Sequence, residues 1–269
     1  MSDVKIAICV KQVPDSWAEK KMVNGLLDRE SVDAVLNDLD EYAIEEALRI
    51  IEPLNEGKES PEHTITLISM GPDRASEAIR KGLSMGADSG LLISDSALAG
   101  SDAVATSKVL AEAIKSGGFD LVFCGTESTD ARMSVVPAMI AERLKWAQLT
   151  FAGSVKVDVE KKSVEIARVT ESGVETMSAS FPCVVSVIEK INEPRYPSFK
   201  GIMAAKKKPL ETKSLADFGI APSDVGASSA WSSVESAAPR PPREKGIKLD
   251  DSGDGGVKLA DYLAEKRLV

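Results

Sequence analysis

Residues 125–136 (GTESTDARMSVV) hold the side chains best suited to binding a phosphate. Gly125 allows close backbone approach. Thr126, Glu127, Ser128, Thr129 and Asp130 follow with side-chain oxygens and a run of backbone N–H groups. Ala131, Arg132, Met133, Ser134, Val135 and Val136 lead into a helical pattern, with Arg132 and Ser134 able to meet an anion. N–H groups at a helix N-terminus point at such a ligand and carry partial positive charge. The chain contains neither GxGxxG nor a GxxxxGK loop closed by Ser or Thr, so spacing alone favours an ordinary solvated loop.

Other reactive side chains are few. His63 is the only histidine, so a His-containing triad has one candidate. It stands in the polar lead-in to a strand, the wrong end for a ligand site, and is expected to face solvent. Cys9, Cys124 and Cys183 form no CxxC pair. That leaves too few ligands for zinc and no disulfide framework, which points to a reducing compartment. Cys124 and Cys183 lie in apolar runs and read as buried packing. Glu45 and Glu46 are adjacent in a helical pattern, where neighbours do not face each other, so they read as surface charge.

These residues need elements to position them, and the pattern supplies a repeat. Residues 4–10 (VKIAICV), 64–70 (TITLISM), 90–94 (GLLIS) and 120–124 (DLVFC) are short apolar runs that fit buried parallel strands. Between them lie amphipathic stretches over 41–52, 72–85, 101–115 and 133–144. Strand alternating with helix is the signature of an α/β fold with a parallel sheet and right-handed crossovers. Residues 150–180 break the pattern and read as a β-hairpin excursion at the sheet edge, followed by a returning strand at 183–189. Open parallel sheets bind ligands beyond the carboxyl ends of their strands. Four segments converge there: Cys9 with Val10 and Lys11; Asn37, Asp38, Leu39 and Asp40; Met70 with Gly71 and Pro72; and 125–136.

The 269 residues carry 33 Lys and Arg against 42 Asp and Glu, a formal charge of −9. This argues against nucleic acid as a partner. No apolar run reaches the roughly 18 residues of a membrane span. No secretory segment is read at the start, so a cytoplasmic protein is expected. The charge is uneven. Residues 190–213 hold seven Lys or Arg and two Glu, +5, so the remainder stands at −14. That basic stretch includes the apolar Tyr196, Phe199, Ile202 and Met203 between prolines. An apolar anchor with a basic rim is the composition of a protein-docking loop. Residues 219–256, rich in Ser, Ala, Gly and Pro, read as a wrapping arm, closed by a short amphipathic helix over 257–267.

Residues 192–209 (NEPRYPSFKGIMAAKKKP) closely resemble the signature segment of electron transfer flavoprotein β subunits, whose usual form is NEPRYPSLPNIMKAKKKP. Further matches follow in order: CVKQVPD at 9–15, NDLDEYAIEEALR at 37–49, SMGP at 69–72, GLSMGAD at 82–88, GTESTDARMSVVPAMIAERL at 125–144 and DSGDGGVKLADYL at 251–263. The resemblance spans essentially the whole chain. It implies a mostly parallel, doubly wound sheet of the adenine nucleotide α-hydrolase-like type, with a hairpin excursion and an extended C-terminal arm. Residues 1–218 would form the nucleotide-binding domain, and 219–269 the arm, its terminal helix docking on a partner subunit.

The resemblance also implies a role. Such subunits pair in an obligate heterodimer with an α subunit that carries most of the FAD site. The pair moves electrons from acyl-CoA-type dehydrogenases to an electron transfer flavoprotein–quinone oxidoreductase or similar acceptor, without membrane insertion and without catalytic residues on β. A structural AMP would lie on Cys9, 37–40, Met70 and 125–136. Partner recognition would use Tyr196, Pro197, Ser198, Phe199, Lys200, Gly201, Ile202 and Met203, with Phe199 where a leucine anchor usually stands. Trp17 and Leu39 would lie near the flavin, although Ser16-Trp17 departs from the commoner pattern. Val169 replaces a common Glu. Bifurcating relatives hold a second FAD with a loop like GxQAIDGDTxQVGP; here Arg132 and Met133 replace its small or acidic residues, which favours AMP. The alternatives are a bifurcating β subunit with two FAD, and a stand-alone nucleotide-hydrolysing domain using 125–136.

Overall fold

The computed structural model describes residues 3–58, 62–238, 240–243, 245–248 and 250–269. They divide into two units, 1–235 and 236–269.

In the first unit the apolar runs become strands and the amphipathic stretches become helices. In chain order these are β1 (Lys5–Cys9), β2 (Gln12–Pro14), β3 (Met22–Val23), β4 (Leu26–Leu27), β5 (Ala34–Leu36) and α1 (Asp38–Asn55). Then follow β6 (Thr64–Met70), α2 (Ser76–Met85), β7 (Ser89–Ile93), α3 (Ala103–Gly117), β8 (Leu121–Gly125) and α4 (Val136–Leu144). The last part holds β9 (Ala147–Asp158), β10 (Ser163–Thr170), β11 (Gly173–Ser180), β12 (Cys183–Val187), α5 (Phe199–Ala205) and β13 (Leu210–Lys213).

Nine strands form one sheet in the order β11-β10-β9-β12-β8-β1-β6-β7-β13. Every neighbouring pair from β9 across to β13 is parallel, and only β9–β10 and β10–β11 are antiparallel. The expected hairpin excursion and returning strand are therefore present. Side chains of a strand alternate between faces. Ile6 and Ile8 accordingly join α1 and α2 in one core layer, while Ala7 joins α3 and α4 in the other. Both faces are covered, which is why the central strands are apolar throughout. Among the described residues no helix is long and apolar enough to cross a membrane.

Several expectations are corrected. His63 is buried, 1% exposed, and its Nδ1 accepts a hydrogen bond from the Val4 N–H at 3.1 Å. Asn55 at the end of α1 holds its backbone from both sides. The imidazole thus fastens the starts of β1 and β6. Glu45 and Glu46 are buried, not surface charge, because residues 192–195 lie over them. The Arg195 guanidinium reaches Glu45 at 2.7 Å and Glu52 at 2.5 Å, and the Asn192 amide donates to Glu46 at 2.9 Å. Burial alone would raise the Glu45 carboxyl, but Arg195 and Arg49 outweigh it and hold it below the ordinary value.

Residues 192–209 are not extended throughout: Ser198 caps α5 by accepting the Gly201 N–H at 3.0 Å. The helix expected from 133 begins at Val136. The compact unit also runs past 218. Ile220 and Val225 are buried in the α3–α4 layer, and the Trp231 N–H donates to Asp102 at 2.8 Å. The second unit holds α6 (Gly255–Glu265), whose residues are all exposed or half-buried.

Candidate functional site

β1, β6 and β8 are adjacent and parallel, so their carboxyl ends share one edge of the sheet. Asn37 stands just before α1 and is nearly fully buried. Its side-chain amide donates to Asp40 at 2.9 Å and to the Glu127 carbonyl at 3.0 Å, while its oxygen accepts the Thr129 N–H at 3.0 Å. One asparagine therefore ties the 125–136 loop to the start of α1. Gly125 is required by the same approach. A Cβ there would stand 2.7 Å from Asp40 Oδ1 and 2.8 Å from the Leu39 backbone. The space that glycine leaves is filled by α1.

Asp40 is enclosed. It accepts from the Lys11 N–H at 2.8 Å as well as from Asn37. Burial pushes its carboxyl up to about 7, against the opposing pull of Asn37, the Lys11 amide and charge, and the Gly125 N–H.

Asp130 is the electrostatic centre of the loop. Its side chain is buried, with Lys11 Nζ at 2.9 Å and Arg29 NH2 at 2.5 Å. Lys11 also donates to Ser128 Oγ at 3.2 Å. Burial alone would raise the Asp130 carboxyl, but the Lys11 ammonium, the Ser128 hydroxyl and the Arg29 guanidinium hold it far below the ordinary range. Arg29 is itself positioned by Arg74, which donates to its carbonyl at 2.9 Å. Neither arginine carries a local sequence signal, because each acts across a long stretch of chain.

Several loop oxygens expected to face a ligand are engaged within the chain. Thr126 donates to the Val187 carbonyl, Ser134 donates to Glu127 at 2.7 Å, and Asp130 is neutralised. Ala131, Arg132 and Met133 are exposed. Arg132 and Ser134 adopt left-handed backbone, φ 49° and 55°. Among the described residues the N–H groups of Met133, Ser134 and Val135 have no acceptor. Free N–H groups in such a turn, just before α4, are a feature that suits an anion. This fits a nucleotide phosphate.

Cys9 and Cys124 are register partners on β1 and β8. The Cys9 neighbour and burial push the Cys124 thiol well above its ordinary value, and burial pushes Cys183 up to about 12. Cys124 and Cys183 are buried in the two core layers, as expected of packing residues. Met70 is half-buried beside Cys9 in the same core layer. Among the described residues no three His, Cys, Asp or Glu side chains cluster to hold a metal.

A second feature lies away from this loop. Tyr196 and Phe199 are 93% and 81% exposed, and Ile202 and Met203 are about half exposed. Pro197 is half-buried and Lys200 exposed beside them. Gly201 lets α5 lie against α2, since a Cβ would stand 2.6 Å from the Ser84 carbonyl oxygen. Trp17 is exposed, and Leu39 is half-buried in the first turn of α1.

Comparison with known proteins follows the same lines. The family model "Electron transfer flavoprotein domain" matches residues 24–218. A Mycobacterium tuberculosis protein, electron transfer flavoprotein subunit beta, is 45% identical over 267 residues, covering 98% of this chain and 99% of that one. The protein of that name from Megasphaera elsdenii is 34% identical, covering 98% and 97%. The caffeyl-CoA reductase-Etf complex subunit CarD of Acetobacterium woodii is also 34% identical, covering 99% and 100%. With the expected fold in place and the match running nearly end to end, the chain belongs to the electron transfer flavoprotein β-subunit family.

Proposed function

We propose that the chain works as half of a heterodimer with an α subunit that holds most of an FAD site. The pair carries electrons from acyl-CoA-type dehydrogenases to a quinone oxidoreductase or similar acceptor. The observation that carries this reading is the exposed apolar row of α5, set in the basic segment of an otherwise acidic chain. A carrier must dock on another protein, and such an anchor with a cationic rim serves that need. The flavin, when bound, stores the electrons; this chain scaffolds and docks, and contributes no bond-making side chain.

The 125–136 loop, with Cys9, Asn37 to Asp40 and Met70, fits AMP as a structural ligand. The free N–H groups at 133–135 would take its phosphate. We assign Trp17 and Leu39 to the flavin side, and α6 on its arm to docking on α.

Co-expression with an α subunit tests the reading. A yellow heterodimer is expected, releasing one FAD and one AMP on denaturation. A stable, strongly yellow chain without α would overturn it. Two FAD and reduction by NADH would establish a bifurcating subunit instead.

Phe199→Ala is expected to lower kcat/KM for reduction by the dehydrogenase about 30-fold, the effect of losing ~2 kcal/mol at an interface anchor. Flavin content should not change. Flavin loss in this variant would place Phe199 in the cofactor site and not at a docking surface.

A further inference from the structure

α5 has only seven residues, of which Ala205 alone is buried. A helix this short does not persist unaided. Phe199 points to solvent and Ile202 and Met203 are only half covered, so apart from Ala205 and the close approach at Gly201 little apolar burial holds it in place. What holds it is polar. The Arg80 guanidinium, on α2, donates to the Ala205 carbonyl at 2.6 Å and the Lys208 carbonyl at 2.7 Å. In return, Lys208 Nζ donates to the carbonyls of Leu83, Gly86 and Ala87 at 3.1, 3.0 and 2.6 Å. All three ammonium donors are thereby used. Each cation meets the carbonyl end of the other helix, where the helix dipole favours positive charge. Upstream, Arg195 is forked onto Glu45 and Glu52. The exposed row thus lies between two pinned ends.

We infer that Arg80 and Lys208 are positioning residues for docking: they lock α5 onto α2 so that Phe199 and its neighbours are presented already ordered. The inference rests on the docking role proposed above for that row. The cations of this segment then fall into two groups. Arg195 and Lys208 work inside the chain, while the exposed Lys200, Lys206 and Lys207 remain for a partner. An interface ordered in advance does not lose binding energy to ordering itself, so loosening the clamp should weaken docking without touching electron storage.

The test uses the purified flavin-loaded complex carrying Arg80→Gln, Lys208→Met, Lys208→Arg or Phe199→Ala. Amide hydrogen exchange over 199–205 is read together with dehydrogenase kinetics. In Arg80→Gln and Lys208→Met, exchange at 199–205 should rise about tenfold or more, and KM should rise about tenfold with kcat within about twofold. Flavin content and reduction by dithionite should stay at the wild-type level, and Lys208→Arg should recover part of the KM. Unchanged exchange in both variants overturns the clamp. So does raised exchange with unchanged KM, provided Phe199→Ala raises KM. If Phe199→Ala leaves KM unchanged, the docking role of the row fails, and the inference about docking fails with it, whatever the exchange shows.

Discussion

Between about pH 4 and pH 7, Asp40 alone is expected to reduce the stability of the folded chain by up to ~4 kcal/mol. Acids in the first turn of a helix are ordinarily favourable. Asp40 is the exception because Gly125, Asn37 and Lys11 close over it. Burial raises its carboxyl to about 7 from the ordinary 3.8, although every polar neighbour favours the charged form. Below 3.8 both folded and unfolded chains keep the proton, and the contribution is fully present. As pH rises, the unfolded chain releases its proton first, so stability falls until pH passes the folded value. Urea midpoints near pH 5 and near pH 8, for wild type and Asp40→Asn, check this. The asparagine loses an acceptor and is less stable overall, but its profile should lack the downward slope. Parallel profiles would show that Asp40 ionises freely in the folded chain.

Asp130→Ala is expected to cost about 2–3 kcal/mol and to loosen the 125–136 loop. Removing one member of a buried ion pair typically costs about 3–5 kcal/mol, because its partner is left uncompensated. Here Lys11 and Arg29 are 38% and 42% exposed and keep contact with water, which reduces the penalty. The pH dependence runs opposite to that of Asp40. The Asp130 carboxyl is depressed, so its stabilisation is present above the unfolded value of 3.8 and is lost as pH falls toward the folded one. The variant should show a lower urea midpoint at neutral pH and a shallower decline in acid. The complex should release less nucleotide on denaturation. An unchanged midpoint would mean that burying Asp130 costs as much as its two cations return. The two acids meet at Lys11, whose backbone N–H serves Asp40 and whose ammonium serves Asp130. The 125–136 loop and the first helix are therefore coupled through Lys11 as well as through Asn37.

The strand at 64–70, the returning strand read at 183–189 and ending at Val187, and the hairpin read over 150–180 and starting at Ala147 are legible in the sequence because apolar runs and alternation are properties of neighbouring residues. The 192–209 segment is legible as a family signature for the same reason: its residues are contiguous. The fates of single charged and polar residues are not. Sequence places His63 in solvent, yet its partner Val4 lies 59 positions away. Sequence places Glu45 on the surface, yet Arg195 lies 150 positions away. Lys208 reads as one of three equivalent lysines, until its ammonium is found on the end of α2.

The chain alone therefore suffices for the alternation of strand and helix up to residue 144, the edge hairpin and the family, but not for the short α5 or the edge strand β13. Each of these is written in local pattern. The three-dimensional contacts settle which of the acids and bases are internal. They turn Asp130 from a phosphate-facing oxygen into a neutralised anchor, and Gly125 from a gap for a ligand into a seat for α1. A charge can be assigned only to the partner it touches, and here those partners are brought together by the sheet, not by the sequence between them.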